Sequence, residues 1–66
     1  MWIVVNGERR EVGEAASLDR VVAAIAASAT GIAVAVNGEV VRRASWPAVK
    51  LAPGDEVEVL TAVQGG

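Results

Sequence analysis

Two Asn-Gly dipeptides govern what this chain can fold into. Each ends an apolar, largely β-branched run: Trp2-Ile3-Val4-Val5 precedes Asn6-Gly7, and Ile32-Ala33-Val34-Ala35-Val36 precedes Asn37-Gly38. Asparagine and glycine both tolerate the positive φ of a type I′ turn, whose twist matches that of paired strands. Each dipeptide therefore marks a two-residue β-hairpin. The returning strands are Glu8 to Val12, polar enough to suit a sheet edge, and the short Glu39-Val40-Val41.

Between the hairpins, Leu18, Val21, Val22 and Ile25 fall at i, i+3, i+4 and i+7, the apolar stripe of one helix. Ser17 stands where an N-cap is needed, and Asp19 suits the positive end of the helix dipole. Ala23, Ala24, Ala26 and Ala27 raise helix propensity, which fades near Ser28 before Gly31. Arg42 to Ala52 reads as irregular, with Trp46 as core filler under the loop and Pro53-Gly54-Asp55 as a closing turn. Glu56 to Leu60 alternates as the last strand.

The order is ββαβββ. A helix crossing over one sheet face requires a later strand parallel to the first. The result is an α+β fold, a mixed sheet of four to five strands packed on one helix in the β-grasp layout. Residues 1–60 form that domain, and residues 61–66 are expected to be a flexible C-terminal tail.

Sixty-six residues make one domain. Thirteen Val and thirteen Ala, with two Trp and no Phe or Tyr, give it a small, β-branched core. Without Cys there is no disulfide and no thiolate, and without His the commonest general base and metal ligand are missing. No D-x-D-x-D-G loop offers a hard-cation site, and no Walker or G-x-G-x-x-G sequence cradles phosphate. A net charge of −2 disfavours nucleic acid as a partner. No apolar run approaches the ~18–20 residues of a membrane span, and no basic-then-apolar leader opens the chain. The reading is a soluble, cytoplasmic protein with no catalytic side chain and no bound metal, working through a surface or a terminus.

The terminus is Gly65-Gly66, an ending that would close about 0.5% of chains by chance, so it is read as a feature. Two residues without Cβ can enter a channel too narrow for others. The six residues after Leu60 reach at most about 20 Å, enough to deliver Gly66 into a partner's buried site. As for surface, alternation that turns Ile3, Val5, Val57 and Val59 inward turns Trp2, Val4, Ala33, Ala35 and Leu60 onto the open sheet face. That apolar set is a candidate contact site. Asp55, Glu56 and Glu58 are expected near the root of the tail, and Arg42-Arg43 as a solvated pair or a match for an acidic rim.

In its opening strand to Val5-Asn6-Gly7, its A-V-N-G-E-V-V hairpin at 35–41, Arg43 with Trp46, the Gly54-Asp55 turn and the T-A-V-Q-G-G tail, the chain resembles the ThiS family. These are the ubiquitin-like β-grasp sulfur carriers of bacterial thiamine biosynthesis. Members often carry Pro where this chain has Arg42. The resemblance implies a protein co-substrate rather than an enzyme. A ubiquitin-activating-type (ThiF-like) adenylyltransferase would use ATP and Mg²⁺ to adenylate Gly66. A persulfide donor would convert it to a thiocarboxylate, and a ThiG-like thiazole synthase would take the sulfur. Val63, Gln64, Gly65 and Gly66 would enter the partner's active site. The same features also fit a carrier for molybdopterin or another sulfur metabolite, a modifier conjugated to lysine, or a β-grasp interaction module that never reacts.

Overall fold

Both Asn-Gly pairs adopt the predicted turn. Asn6 and Gly7 have φ of 49° and 83°, and Asn37 and Gly38 of 51° and 83°. The computed structural model describes residues 1–26 and 31–61. The first turn joins β1 (Trp2–Val5) to β2 (Glu8–Glu11), and the second joins β3 (Ile32–Val36) to β4 (Glu39–Val41). Helix α1 (Leu18–Ile25) lies between the hairpins, and β5 (Glu56–Thr61) closes the sheet. The strand order is β2-β1-β5-β3-β4, with β5 parallel to β1 and antiparallel to β3. The last strand in sequence is thus the central one, flanked by the two hairpins.

One face of this sheet holds the core. Ile3 and Val5 from β1, Val34 from β3 and Val57 from β5 meet Leu18, Val21 and Val22 of α1, with Trp46 and Leu51 closing the side. Burying each of the larger aliphatic side chains contributes roughly 1.5–3 kcal/mol. The helix stripe packs as its spacing predicts, Ile25 being half-buried at its end. α1 stops at Ile25 because Ala26 already has extended backbone, φ −118° and ψ 138°. The expected fading near Ser28 falls in residues 27–30, outside the described ones.

Three readings change. Ser17 occupies the N-cap position but its side chain makes no capping bond to the helix. Its backbone is recruited instead into an isolated antiparallel bridge with Lys50. There Leu18 N–H donates to Val49 O at 2.8 Å and Leu51 N–H to Ala16 O at 2.9 Å. The neighbouring Ser17 hydroxyl, ahead of the N–H groups of Arg20 and Asp19, holds the Asp19 carboxyl below the usual carboxylate range, against some desolvation.

The segment expected to be irregular contains a 3₁₀ helix over Arg43–Ala48. It seats Trp46, 3% exposed, against the core, with the indole Nε1–H donating to Val41 O at 2.9 Å. Arg42, at its start, has φ −66° and ψ 143°, the φ that a proline ring imposes. The place therefore takes Arg or Pro without a change of path. Its N–H makes no backbone hydrogen bond among the described residues. Arg42→Pro is expected to raise stability by about 0.4–1 kcal/mol through a less free unfolded chain, read as a higher urea midpoint with unchanged m. A lower midpoint would contradict this backbone assignment.

The third change is in the last strand. β5 continues through Thr61, which pairs with Ile32, one residue past the expected boundary. Residues 62–66, the remainder of the expected tail, lie outside the described ones.

Candidate functional site

The two sides of β5 are paired over different lengths. On one side β3 accompanies it to Thr61, through Ala35↔Glu58, Ala33↔Leu60 and Ile32↔Thr61. On the other side β1 stops at Val5, paired with Val57, because the chain turns at Asn6-Gly7. The backbone of Val59 would face no strand there. The side chain of Asn6 fills the gap: Val59 N–H donates to Asn6 Oδ1 at 2.8 Å, and Asn6 Nδ2 donates to Val59 O at 3.2 Å. An amide group thus stands in for one more residue of β1.

The second asparagine repeats the device at the opposite end of β5. Glu56 N–H donates to Asn37 Oδ1 at 3.0 Å, and Asn37 Nδ2 donates to Asp55 Oδ1 at 3.1 Å. Asp55 Oδ2 also accepts from Ala52 N–H at 2.8 Å, closing the turn. Asp55 and Glu56 therefore lie just before and at the start of β5, about 20 and 17 Å from Thr61 at ~3.3–3.4 Å per residue, and not at the tail's root. Of the three acids expected there, Glu58 alone lies within three residues of Thr61.

The open face carries all five of the predicted apolar residues but does not gather them. Ala33 and Leu60 are direct cross-strand neighbours, and Ala35 pairs with Glu58. Trp2 and Val4 lie toward the other end. With Val4 opposite Glu56, Trp2 is six residues out of step with Leu60, about 20 Å along the strands. Trp2, 40% exposed, is partly covered by Arg9, whose guanidinium carbon is 4.3 Å from the ring centroid. This is a cation–π pair. Glu56 and Glu58 occupy β5 between the two ends.

The face around Leu60 has a member that sequence reasoning missed. Val40 of β4 stands opposite Ala35 and is 74% exposed, and Leu60 itself is 65% exposed. The signal was present in the chain, since a two-residue turn at Asn37-Gly38 puts Val36 opposite Glu39 and hence Ala35 opposite Val40. Leu60, Ala33, Ala35 and Val40 thus form an apolar surface around the Glu58 carboxylate, next to Thr61. The other missed residue is Asn6, read as a turn former only. That its amide also completes a ladder depends on β5 outrunning β1, which no local pattern reveals.

Arg42 and Arg43 are exposed and enter no ion pair among the described residues. No group of three or more potential metal ligands occurs among the described residues, and no described helix is long and apolar enough to cross a membrane. Val63, Gln64, Gly65 and Gly66 lie outside the described residues.

Comparison with known proteins matches this arrangement to one family. The family model for ThiS matches residues 3–66, a span that includes both Asn-Gly turns and the terminal glycines. Among solved structures, the crystal structure of a thiamine biosynthesis protein (ThiS) from Geobacter metallireducens superposes with a TM-score of 0.86. It is 33% identical, with 100% of each chain covered. A solution structure of a thiamine biosynthesis protein from the same organism gives 0.78 at 30% identity, covering 100% of this chain and 88% of that one. No curated protein matches in sequence. With its five-stranded ubiquitin-like β-grasp and a match running to the last glycine, the chain belongs to the ThiS family.

Proposed function

We propose that this protein is a sulfur carrier of thiamine biosynthesis, a co-substrate whose reacting group is the α-carboxylate of Gly66. The observation that supports this most is the family match extending to Gly65-Gly66. The chemistry of the chain agrees: it has no Cys or His to act as nucleophile or base, and its terminus carries a carboxyl group of its own.

With an ordinary pKa of about 3.5, that carboxyl is ionised at neutral pH, and a sulfur nucleophile cannot expel oxide from it. In the proposed reaction a Gly66 oxygen attacks the α-phosphorus of Mg-ATP on a ThiF-like adenylyltransferase and displaces pyrophosphate. The acyl-adenylate then has AMP as leaving group. The terminal sulfur of a persulfide attacks the carbonyl carbon, AMP departs, and an acyl disulfide forms. A donor thiol cleaves its S–S bond, leaving the Gly66 thiocarboxylate and a disulfide. A ThiG-like thiazole synthase accepts that sulfur. Val63, Gln64, Gly65 and Gly66 enter the partner's site while the body stays outside.

The contact surface in this reading is the Leu60 end of the open face, with Ala33, Ala35 and Val40 around Glu58. It lies beside the tail, and its one carboxylate favours a partner presenting a cation within an apolar surface. Trp2 and Val4, about 20 and 13 Å away along the strands, lie toward the other end of the sheet.

ATP–pyrophosphate exchange by the adenylyltransferase tests the proposal, with wild-type protein supporting exchange and protein lacking Gly66 supporting none. Leu60→Asp is expected to lower exchange about tenfold or more, as for loss of an interface anchor. The unfolding midpoint should be unchanged, because Leu60 is outside the core. Trp2→Asp should cost less than Leu60→Asp. Wild-type exchange by Leu60→Asp would remove this surface from the account.

A further inference from the structure

We infer that Asn6 is a positioning residue for the reacting terminus: its amide holds the last stretch of β5 in the sheet and so fixes the point from which the tail leaves the body. This rests on the carrier reading above. It goes beyond that reading in assigning a role in delivery to a side chain about which the Gly-Gly motif says nothing.

β5 is the central strand, yet on its β1 side the ladder ends at Val57, whose C=O accepts from Asn6 N–H at 2.9 Å. Beyond that, the N–H and C=O of Val59 on this side are both held by the one Asn6 side chain. Without it, residues 59–61 would keep only their pairing with β3, and β5 would behave there as an edge. A strand end held from one side opens more readily than one held from both.

The consequence for delivery is geometric. When the body is docked, the carboxylate must reach one place in the partner's active site. Each residue that frays from β5 adds about 3.3 Å of free chain and dilutes the terminus over a larger volume. Leu60 lies in the same stretch, so fraying weakens docking as well, and among docked complexes the fraction with the carboxylate in place falls.

The matching turn supplies the control. Asn37 makes an equivalent grip on β5 at Glu56, at the end far from the tail, from an equivalent positive-φ position. Glycine is at ease at either φ, so Asn6→Gly and Asn37→Gly each remove one amide grip and keep the turn. Asn6→Asp keeps the acceptor for Val59 N–H and loses the donor to Val59 O.

The experiment combines amide exchange with adenylation kinetics on the full chain, using the adenylyltransferase and Mg-ATP. Asn6→Gly is expected to speed exchange at Val59 by about tenfold or more and lower kcat for adenylation by about tenfold, with KM raised as well because Leu60 lies in the freed stretch. Asn6→Asp should fall between Asn6→Gly and wild type in both. Asn37→Gly should leave Val59 exchange and kcat within about twofold of wild type. Wild-type kcat in Asn6→Gly, or an equal loss of kcat in Asn37→Gly, would overturn the inference, the second by reducing it to general stability. Failure of wild-type protein to be adenylated would overturn the carrier reading instead, and Val59 exchange would still report whether the grip exists.

Discussion

Trp46→Ala is expected to remove about half or more of the domain's stability. Trp46 is buried within a core otherwise made of Ile, Leu and Val, and its indole joins the 3₁₀ segment to β4 through Val41 O. Truncating a buried aromatic residue to alanine costs about 3–5 kcal/mol. At ~0.05–0.15 kcal/mol per residue, the whole of a domain this size is worth about 3–10 kcal/mol. No other aromatic side chain is in the core to take up the space, since Trp2 faces the open side. Trp46→Phe, which retains most of the apolar contact and forfeits the hydrogen bond, should cost about 1–2 kcal/mol. Urea unfolding followed by far-ultraviolet circular dichroism measures both. A wild-type midpoint in Trp46→Ala would contradict the placement of this residue.

Gly65→Val is expected to have the opposite profile, with wild-type stability and adenylation reduced by about a hundredfold or more. In the proposed role position 65 belongs to the tail, whereas the core described above is built from residues 3–57. In the proposed reaction the penultimate residue lies in a channel shaped for a chain without Cβ atoms. A β-branched side chain excludes it or displaces the carboxylate, and a misplacement near 1 Å can cost ~10²-fold in rate. Pyrophosphate exchange and urea unfolding on the same preparation separate the two effects. Undiminished exchange would show that the Gly-Gly ending serves no steric purpose.

Much of this molecule is legible in the chain because its local signals agree with its global fold. The Asn-Gly turns set two registers, the 3–4 spacing from Leu18 to Ile25 sets the buried helix face, and alternation in β5 sets inward Val57 and outward Leu60. What was hidden depends on elements distant in sequence. Ser17 has the composition of a cap but is drawn into pairing with Lys50. Trp46-Pro47 looks like a loop breaker, yet a 3₁₀ turn accommodates the proline and buries the indole. Ala15, at φ 54°, takes a left-handed conformation that its residue type does not announce. Trp2 and Leu60 share a face by alternation but not a neighbourhood, because the parallel offset between β1 and β5 cannot be counted from either strand alone. The same offset creates the position that the Asn6 side chain fills.

In the proposed function it is Gly66 that carries sulfur. Incubation with the adenylyltransferase, Mg-ATP and a persulfide donor, followed by intact mass spectrometry and fragmentation of the C-terminal peptide, tests it directly. The expected result is an ATP-dependent mass gain equal to the replacement of one oxygen by one sulfur, localised to Gly66 and absent when Gly66 is deleted. A chain that returns at its original mass, or gains sulfur equally well without Gly66, would contradict it.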